Sequence, residues 1–115
     1  MTEAAPLGAL EEQILVAVLR TGDQAFGMNV RREIEQVTGR DIAIGAAYAT
    51  LDRLEAKGLV QSKRRREAGS RATRRIFKVT PAGARVLAET RAMRERLWQG
   101  VGLKLRPDRG SRRQS

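Results

Sequence analysis

The periodicity of apolar residues changes twice along this chain, and no other feature of the sequence constrains the fold as strongly. Three segments repeat apolar residues at helical spacing, at Leu7–Leu19, about Met28–Thr38 and Ala46–Lys57. Two short runs, 59–63 and 75–79, are then rich in β-branched and aromatic residues, as strands are. Helical spacing returns over 81–100. The pattern predicts a mainly α fold with a small β-hairpin, in the order α-α-α-β-β-α.

Turn and capping residues support these boundaries. Thr21-Gly22-Asp23 ends the first predicted helix, and Gly39 and Gly58 stand where the next two should stop. Thr80 is placed to cap the last helix, with Pro81 at its first position. Two inward stripes are predicted, Val30, Ile34 and Val37 on the second helix and Ala47, Leu51 and Leu54 on the third.

The second and third predicted helices, joined by the short link 40–44, have the length of a helix-turn-helix. A hairpin and a further helix after them give the winged helix-turn-helix layout. In that layout the third helix enters the major groove of DNA and the hairpin, or wing, lies against the backbone or minor groove. We interpret 7–101 as one such domain with a dimerisation helix at 81–100. Residues 1–6 are predicted to be a flexible N-terminus, and 102–115 a basic, disordered tail.

Positive charge is concentrated in the second half of the chain. The net charge is +10, made up of −3 over residues 1–60 and +13 over 61–115. Seven cations fall within thirteen residues of the predicted wing, namely Lys63, Arg64, Arg65, Arg66, Arg71, Arg74 and Arg75. Because like charges this close repel one another, phosphate oxygens would relieve them. We therefore predict that all seven contact nucleic acid.

The third predicted helix opens with small residues, which permit close approach to a groove. We predict DNA contacts from Ala46, Ala47, Tyr48, Thr50 and Arg53. Arg53 suits a phosphate, and Thr50 a base edge or a phosphate. Tyr48 lies off the inward stripe and has a hydroxyl group, so we place it on the DNA backbone, with a core position as the alternative.

The segments GAAYATLDRLEAKGLV and RRIFKVTPAG resemble the PadR family of transcriptional regulators. They carry its Gly followed by Tyr, its LxRLExxGLV run, its basic wing and its entry to the last helix, and the resemblance covers 7–101. It implies a dimeric repressor whose last helix exchanges contacts between subunits and which small molecules often release from DNA. Phe26-Gly27 stands where the family commonly has His-Gly, and Ala43-Ile44 replaces its polar cap. The long C-terminal helical domain of larger members is missing.

The last predicted helix carries an apolar stripe that nothing later in the chain would cover, formed by Val86, Thr90, Met93, Leu97 and Val101, with Trp98 beside it. Such a patch is expected to bind a second subunit. We predict a two-fold dimer built from Leu7, Leu10 and Ile14 of the first helix and Met93, Leu97 and Trp98 of the last. An effector would be apolar or aromatic and would bind between the subunits near Trp98.

Composition narrows the function classes. Cysteine and histidine are absent, so we expect no thiolate or imidazole metal site and no cofactor. No nucleophile paired with a base is visible in the sequence either, and we expect that the protein is not an enzyme. The longest apolar run, Ile14–Leu19, is too short to span a bilayer, and we expect a cytoplasmic protein. The predicted partner is double-stranded DNA with a palindromic operator. The alternatives are a non-specific, nucleoid-type nucleic-acid-binding protein and a protein-binding adaptor.

Overall fold

A computed structural model of the chain describes residues 6–66 and 69–103. Its elements are α1 (Ala9–Thr21), a 3-10 turn (Gly22–Gln24), α2 (Gly27–Thr38), α3 (Ile44–Ala56), β1 (Val60–Arg66), β2 (Thr73–Val79) and α4 (Pro81–Trp98). The predicted order is confirmed. The predicted flexible N-terminus and basic tail lie mostly outside the described residues. Within those residues, no helix is long and apolar enough to cross a membrane.

The core lies where α1, α2 and α3 meet the base of the hairpin. Its fully buried side chains come from each of these elements and include Ile14, Leu15, Val30, Leu51, Leu54, Val60 and Phe77. Each helix contributes one apolar face, as the spacing of its apolar residues requires. The core fixes α3 against α1 and the hairpin against α3.

Three residues do not lie where the sequence predicts them, two at the proposed dimer interface and one on an inward stripe. Ile14 is wholly buried and Leu7 nearly so, and Leu10 packs against the core, so the predicted dimer contact is wrong for Ile14 and Leu7. The exposed large apolar side chains of α1 are Val16 and Leu19. Val37 is 58% exposed, and its predicted inward position is wrong. It stands at the last turn of α2 and borders an open groove between α1 and α2 with Val16.

The hairpin extends beyond the predicted strands. β1 and β2 pair in antiparallel register from Val60 opposite Val79 to Arg66 opposite Thr73, so the pairing extends past the predicted strands by five residues, 64–66 and 73–74. The pairing continues because the cations along the outer part of the strands keep their charges at the surface, at no cost to the backbone ladder. The other edge of β2 is also paired, since the Phe77 N–H donates to the Ala25 carbonyl oxygen at 3.0 Å.

The base of α4 is fixed by a small hydrogen-bond network at Thr80. Its hydroxyl accepts from the Gly83 N–H at 3.0 Å, the predicted N-cap, and donates to the Gly58 carbonyl oxygen at 2.7 Å. Gly83 lies so close to the chain that a Cβ there would overlap the Leu59 carbonyl oxygen. These contacts of Thr80 and Gly83 hold the start of α4 against the residues that follow α3.

The exposure of α4 rises along its length. Val86 and Thr90 are buried, and the Thr90 hydroxyl accepts from the Leu7 N–H at 3.1 Å. Met93 is half-buried, whereas Leu97 is 72% and Trp98 54% exposed. The first half of α4 packs against the rest of its own chain, and the second half presents an apolar surface to solvent.

Replacing Gly83 with alanine should destabilise the fold by about 1–3 kcal/mol, because the new methyl group would force α4 away from Leu59. Gly45→Ala is the matched control, since a Cβ at Gly45 meets no atom within 4 Å. It should be neutral or stabilising by about 0.5–1 kcal/mol. Urea denaturation measures both. Equal stability of the two variants would show that the close approach of α4 is unimportant.

Candidate nucleic-acid interface

The solvent face of α3 is almost bare in its first two turns. Gly45, Ala46 and Ala49 lie on this face, with Ile44 at its start. None of these side chains carries a hydrogen-bonding group. The surface is therefore small and apolar, which lets the helix backbone approach the floor of a groove closely.

Two predicted contacts on α3 are wrong. Ala47 is 0% and Thr50 1% exposed, because both lie on the face that carries Leu51 and Leu54 into the core. Helical geometry places positions three and four apart on one face, so Thr50 follows Ala47 inward. Ala49 takes its place on the outer face with Ala46. The sequence prediction missed Ala49, although its spacing of four from Gly45 indicates the outer face.

Tyr48 packs α3 against α2. It is half-buried, and its ring lies so close to Gly27 that a Cβ there would overlap the ring. The structure thus favours the alternative of a core-side position over the predicted DNA contact. It also explains Gly27, whose missing side chain makes room for the ring at the start of α2. The sequence gives both residues but no sign that they touch.

Arg53 projects from the outer face of α3 beside an acidic residue of α1. Its Nε lies 3.6 Å from Glu11 Oε2, and the same oxygen accepts a hydrogen bond from Lys57 Nζ at 2.8 Å. The other oxygen of Glu11 accepts from the Gly8 N–H at 3.0 Å. The hydrogen bond from Lys57 lowers the pKa of Glu11, against the opposing effect of burial. Arg53 stays half-exposed and can still reach a phosphate.

The hairpin divides its cations between two faces, because side chains alternate along a strand. The inner face, on the side of α3, carries Arg64, Arg66 and Arg75 together with Ser62 and Phe77. The outer face carries Lys63, Arg65, Arg74 and Lys78 together with Gln61 and Ile76. This assignment follows from the register, in which Arg64 is opposite Arg75 and Lys63 is opposite Ile76.

Arg75 is an internal link and not a free cation. Its guanidinium lies 2.9 Å from Asp52 Oδ1 and 2.8 Å from Glu55 Oε1, above the ring of Phe77. Glu55 also accepts hydrogen bonds from the Ser62 N–H and hydroxyl. With two carboxylates against it, Arg75 is paired within the chain, and its DNA contact stays a prediction. It joins the wing to α3.

Arg65 and Arg74 hold the outer face of the wing against Phe26. Their guanidinium carbons lie 5.0 Å and 4.1 Å from the centre of the Phe26 ring. Arg65 also donates to the Asp23 carbonyl oxygen at 2.9 Å. Both side chains are partly buried. These contacts set the position of the wing, and the DNA contacts of Arg65 and Arg74 stay predictions.

The other wing cations point into solvent. Lys63, Arg64, Arg66 and Arg71 are exposed. Within residues 6–66 and 69–103, none of their side chains has a hydrogen bond or an ion pair. Arg64 and Arg66 share the inner face of the hairpin with the link to α3, whereas Lys63 is on the outer face. The structure brings Arg64 and Arg66 to the side on which α3 lies.

Comparisons with known proteins give one consistent result. The sequence profile of the transcriptional regulator PadR-like family matches residues 14–89. The transcriptional regulator Rv3488 of Mycobacterium tuberculosis is 42% identical over 63 residues, which cover 55% of this chain and 57% of that protein. The chain thus matches just over half the length of that relative.

Solved structures show the same fold. A PadR family transcription regulator from Clostridium difficile superposes with a TM-score of 0.65 at 22% identity, over 81% of this chain and 94% of that one. A PadR family transcriptional regulator from Eggerthella lenta gives 0.61 at 27% identity, over 81% and 82%. The winged helix architecture expected from the sequence is confirmed.

Replacing Glu11 with glutamine should remove a stabilising contact that depends on pH. The lowered pKa means that the Glu11 carboxylate stabilises the fold above its ordinary pKa of 4.5, and that this contribution is lost as the pH falls through the lowered value. The variant should be less stable than the native chain at about pH 7, and the difference should shrink by about pH 3. Urea denaturation at both pH values checks this.

Glu95→Gln is the control for Glu11→Gln, since Glu95 is exposed and pairs only with Arg91 on its own helix within the described residues. It should change stability little at either pH. A difference between the native chain and Glu11→Gln that is the same at both pH values would contradict the assignment.

Proposed function

The chain belongs to the transcriptional regulator PadR-like family, and from this premise we propose that it is a dimeric repressor that reads a palindromic operator through α3 and the wing. Members of this family are transcriptional regulators that bind DNA, and not enzymes. The proposal concerns what the family alone leaves open: sequence specificity, the residues involved, the dimer and the direction of regulation. A dimer bound across a promoter represses by occupying it, with no further contact required.

The observation that carries the proposal is the division of the wing arginines into two groups. Arg65, Arg74 and Arg75 are held by Phe26, Asp23, Asp52 and Glu55. Arg64, Arg66 and Arg71 are exposed and have no ion pair within the described residues. The first group fixes the wing and leaves the second group extended into solvent as unneutralised charge. Phosphates are the complementary partner for such charges.

The small apolar face of α3 supports sequence reading of a particular kind. Ala46, Ala49 and Ile44 offer methyl groups but no donor or acceptor. In the major groove, apolar side chains of this size contact the 5-methyl group of thymine. We assign base contacts to these residues, and phosphate contacts to Arg53, Arg64, Arg66 and Arg71.

The dimer is supported by apolar surface at the end of α4. Leu97, Trp98, Val101 and Leu103 are all more than half exposed, and they fall within seven residues of one another at the end of α4 and just after it. The groove between α1 and α2, bordered by Val16 and Val37, offers a second apolar surface on the same chain. A two-fold dimer in which each α4 end packs on its partner would cover both surfaces and would present two copies of α3 to DNA.

An apolar or aromatic effector near Trp98 remains part of the proposal. Met93 is half-buried and Trp98 exposed, so a second subunit would be needed to close a site around them. A planar apolar compound could stack on the indole ring there. A compound that releases DNA while Trp98 fluorescence stays constant would place the effector elsewhere.

The second candidate function is a non-specific, nucleoid-type protein. The net charge of +10 favours it, and so does the absence of hydrogen-bonding groups on the first two turns of the α3 solvent face. The two functions differ in the ratio of affinities for an operator and for random DNA. A specific repressor should prefer its operator by ~10³ or more.

The wing and α3 should respond differently to substitution. Arg64→Ala and Arg66→Ala should weaken binding to operator and random DNA by similar factors, and each should flatten the plot of log affinity against log salt by ~0.9. Ala49→Leu adds bulk to the α3 face and should cost ~1–3 kcal/mol on the operator, with little change on random DNA or in the salt slope. Salt titrations with both DNAs measure these effects.

Lys78→Ala is the matched control for the wing variants. Lys78 is an exposed cation of the same hairpin but lies on the outer face, so it should leave the salt slope unchanged. If Ala49→Leu and Arg64→Ala gave the same pattern, the protein would not read sequence through α3. The non-specific function would then describe it better.

The double substitution Leu97→Ala with Trp98→Ala should convert the dimer into a monomer. Truncating each side chain in a packed interface should cost ~2–5 kcal/mol. Ile44→Ala is the control, because it removes an exposed apolar side chain from the DNA-facing surface and should leave the dimer intact. Sedimentation velocity measures the oligomeric state. A double variant that sediments as the native dimer would contradict the proposed interface.

A further inference from the structure

The link between α2 and α3 has to be held in place by contacts other than a helix cap. α2 ends at Thr38, and α3 begins at Ile44 after the extended residue Ala43. Among the described residues, no side chain caps the first turn of α3. Since ordering a backbone segment costs conformational entropy, the link needs partners that keep it in one conformation.

Arg31 of α2 reaches across to the last residues of this link. Its Nε donates to the Ile42 carbonyl oxygen at 2.6 Å, and its Nη2 donates to Asp41 Oδ1 at 3.0 Å. Its Nη1 lies 3.8 Å from Glu35 Oε1, one turn further along α2. Only 22% of the Arg31 side chain is exposed, so these contacts are partly shielded from water, which strengthens them.

The hydrogen bond to the Ile42 carbonyl oxygen is the contact that fixes the link. Asp41 is 78% exposed, and an ion pair with so exposed a partner contributes little. The carbonyl group belongs to the backbone itself, so a charge-assisted hydrogen bond to it holds the peptide plane between Ile42 and Ala43. The Ile42 side chain is buried in the core, which anchors the same residue a second time.

The beginning of the link is held separately, at the end of α2. The Thr38 hydroxyl donates to the Ile34 carbonyl oxygen at 2.7 Å and accepts from the Arg40 N–H at 3.1 Å. Gly39 ends α2 in the left-handed conformation, which favours glycine. The link is thus fixed at both ends, and Arg31 holds the end that leads into α3.

We propose that Arg31 is a positioning residue for sequence reading. By holding the Ile42 carbonyl group it fixes where α3 begins, and so where the outer face with Ala46 and Ala49 lies relative to DNA. This inference rests on the proposed function, in which that face contacts bases. Arg31 then acts through α3 and not through a phosphate. The two roles differ in effect, because a lost phosphate contact weakens binding to every duplex and lowers its salt dependence, whereas a misplaced α3 weakens binding to the sequence that it reads.

The first measurement compares the affinities of the full chain for two duplexes, the one most enriched by selection with the native chain and a scrambled version of it. Arg31→Gln should lower the ratio of these affinities roughly tenfold, the effect of losing one base contact. Its affinity for the scrambled duplex and its salt slope should not change. Arg31→Lys keeps the charge but not the planar guanidinium, so it should also lower the ratio. Arg32→Gln is the matched control, because Arg32 is an exposed cation of α2 that donates to Asn29 on its own helix, and it should leave the ratio unchanged.

The second measurement is amide hydrogen exchange without DNA. The Ala47 N–H donates to the Ala43 carbonyl oxygen at 3.1 Å, the first backbone hydrogen bond of α3. In Arg31→Gln the Ala47 amide should exchange roughly tenfold faster, relative to the Leu51 amide in the middle of the helix, because the start of α3 opens more often. The comparison with Leu51 separates this local opening from a loss of global stability. Arg32→Gln should exchange like the native chain.

The inference is overturned if Arg31→Gln keeps the native ratio of affinities, if it weakens binding to both duplexes equally, or if its Ala47 amide exchanges as in the native chain. Native behaviour of Arg31→Lys would show that the charge alone is sufficient and would also overturn it. Should Arg31→Gln fail to fold, Arg31→Lys is measured in its place. If selection enriches no duplex, the proposed repressor fails, and hydrogen exchange still decides whether Arg31 fixes the start of α3.

Discussion

The position of the wing relative to α3 depends on Arg75. Its guanidinium meets Asp52 and Glu55 of α3 at 2.9 Å and 2.8 Å, and it lies over the Phe77 ring at the edge of the core. Pairs at the surface contribute little, but this one is partly buried and joins several hydrogen-bonded groups, the setting in which charge-assisted contacts are strongest. On the opposite face, Phe26 provides a second support under Arg65 and Arg74.

This arrangement explains how a hairpin so rich in arginine folds despite the repulsion among its own cations. Three of its arginines are neutralised or stacked within the chain, and their contacts join the hairpin to α3 and to Phe26. The cations that extend into solvent lie on strands that the contacts of the other three arginines already hold in place. The same alternation of side chains leaves Lys63 and Lys78 on the outer face, away from α3. One register thus determines which cations of the hairpin lie on the side of α3 and which lie on the outer face.

Much of the fold could be predicted from the sequence, and the failures have a common cause. Periodicity and capping residues predicted every helix and both strands, because these are local properties. The roles of single residues depend on partners distant in sequence. Nothing local shows that Tyr48 covers Gly27, or that Arg75 is held by Asp52 and Glu55. The sequence does not distinguish the seven wing cations from one another, whereas the strand register places them on two different faces of the hairpin. Thr50 could have been placed inward from helical spacing alone, as could Ala49 outward.

The central claim is that α3 and the wing together read a defined DNA sequence as a two-fold dimer. Selection of bound sites from a pool of random duplex DNA tests this most directly. We expect enrichment of one two-fold symmetric motif with thymines in its half-sites, whose centres lie about 10 base pairs, or a multiple of that, apart. A pool that is bound as tightly after many rounds as at the start, with no motif enriched, would contradict it.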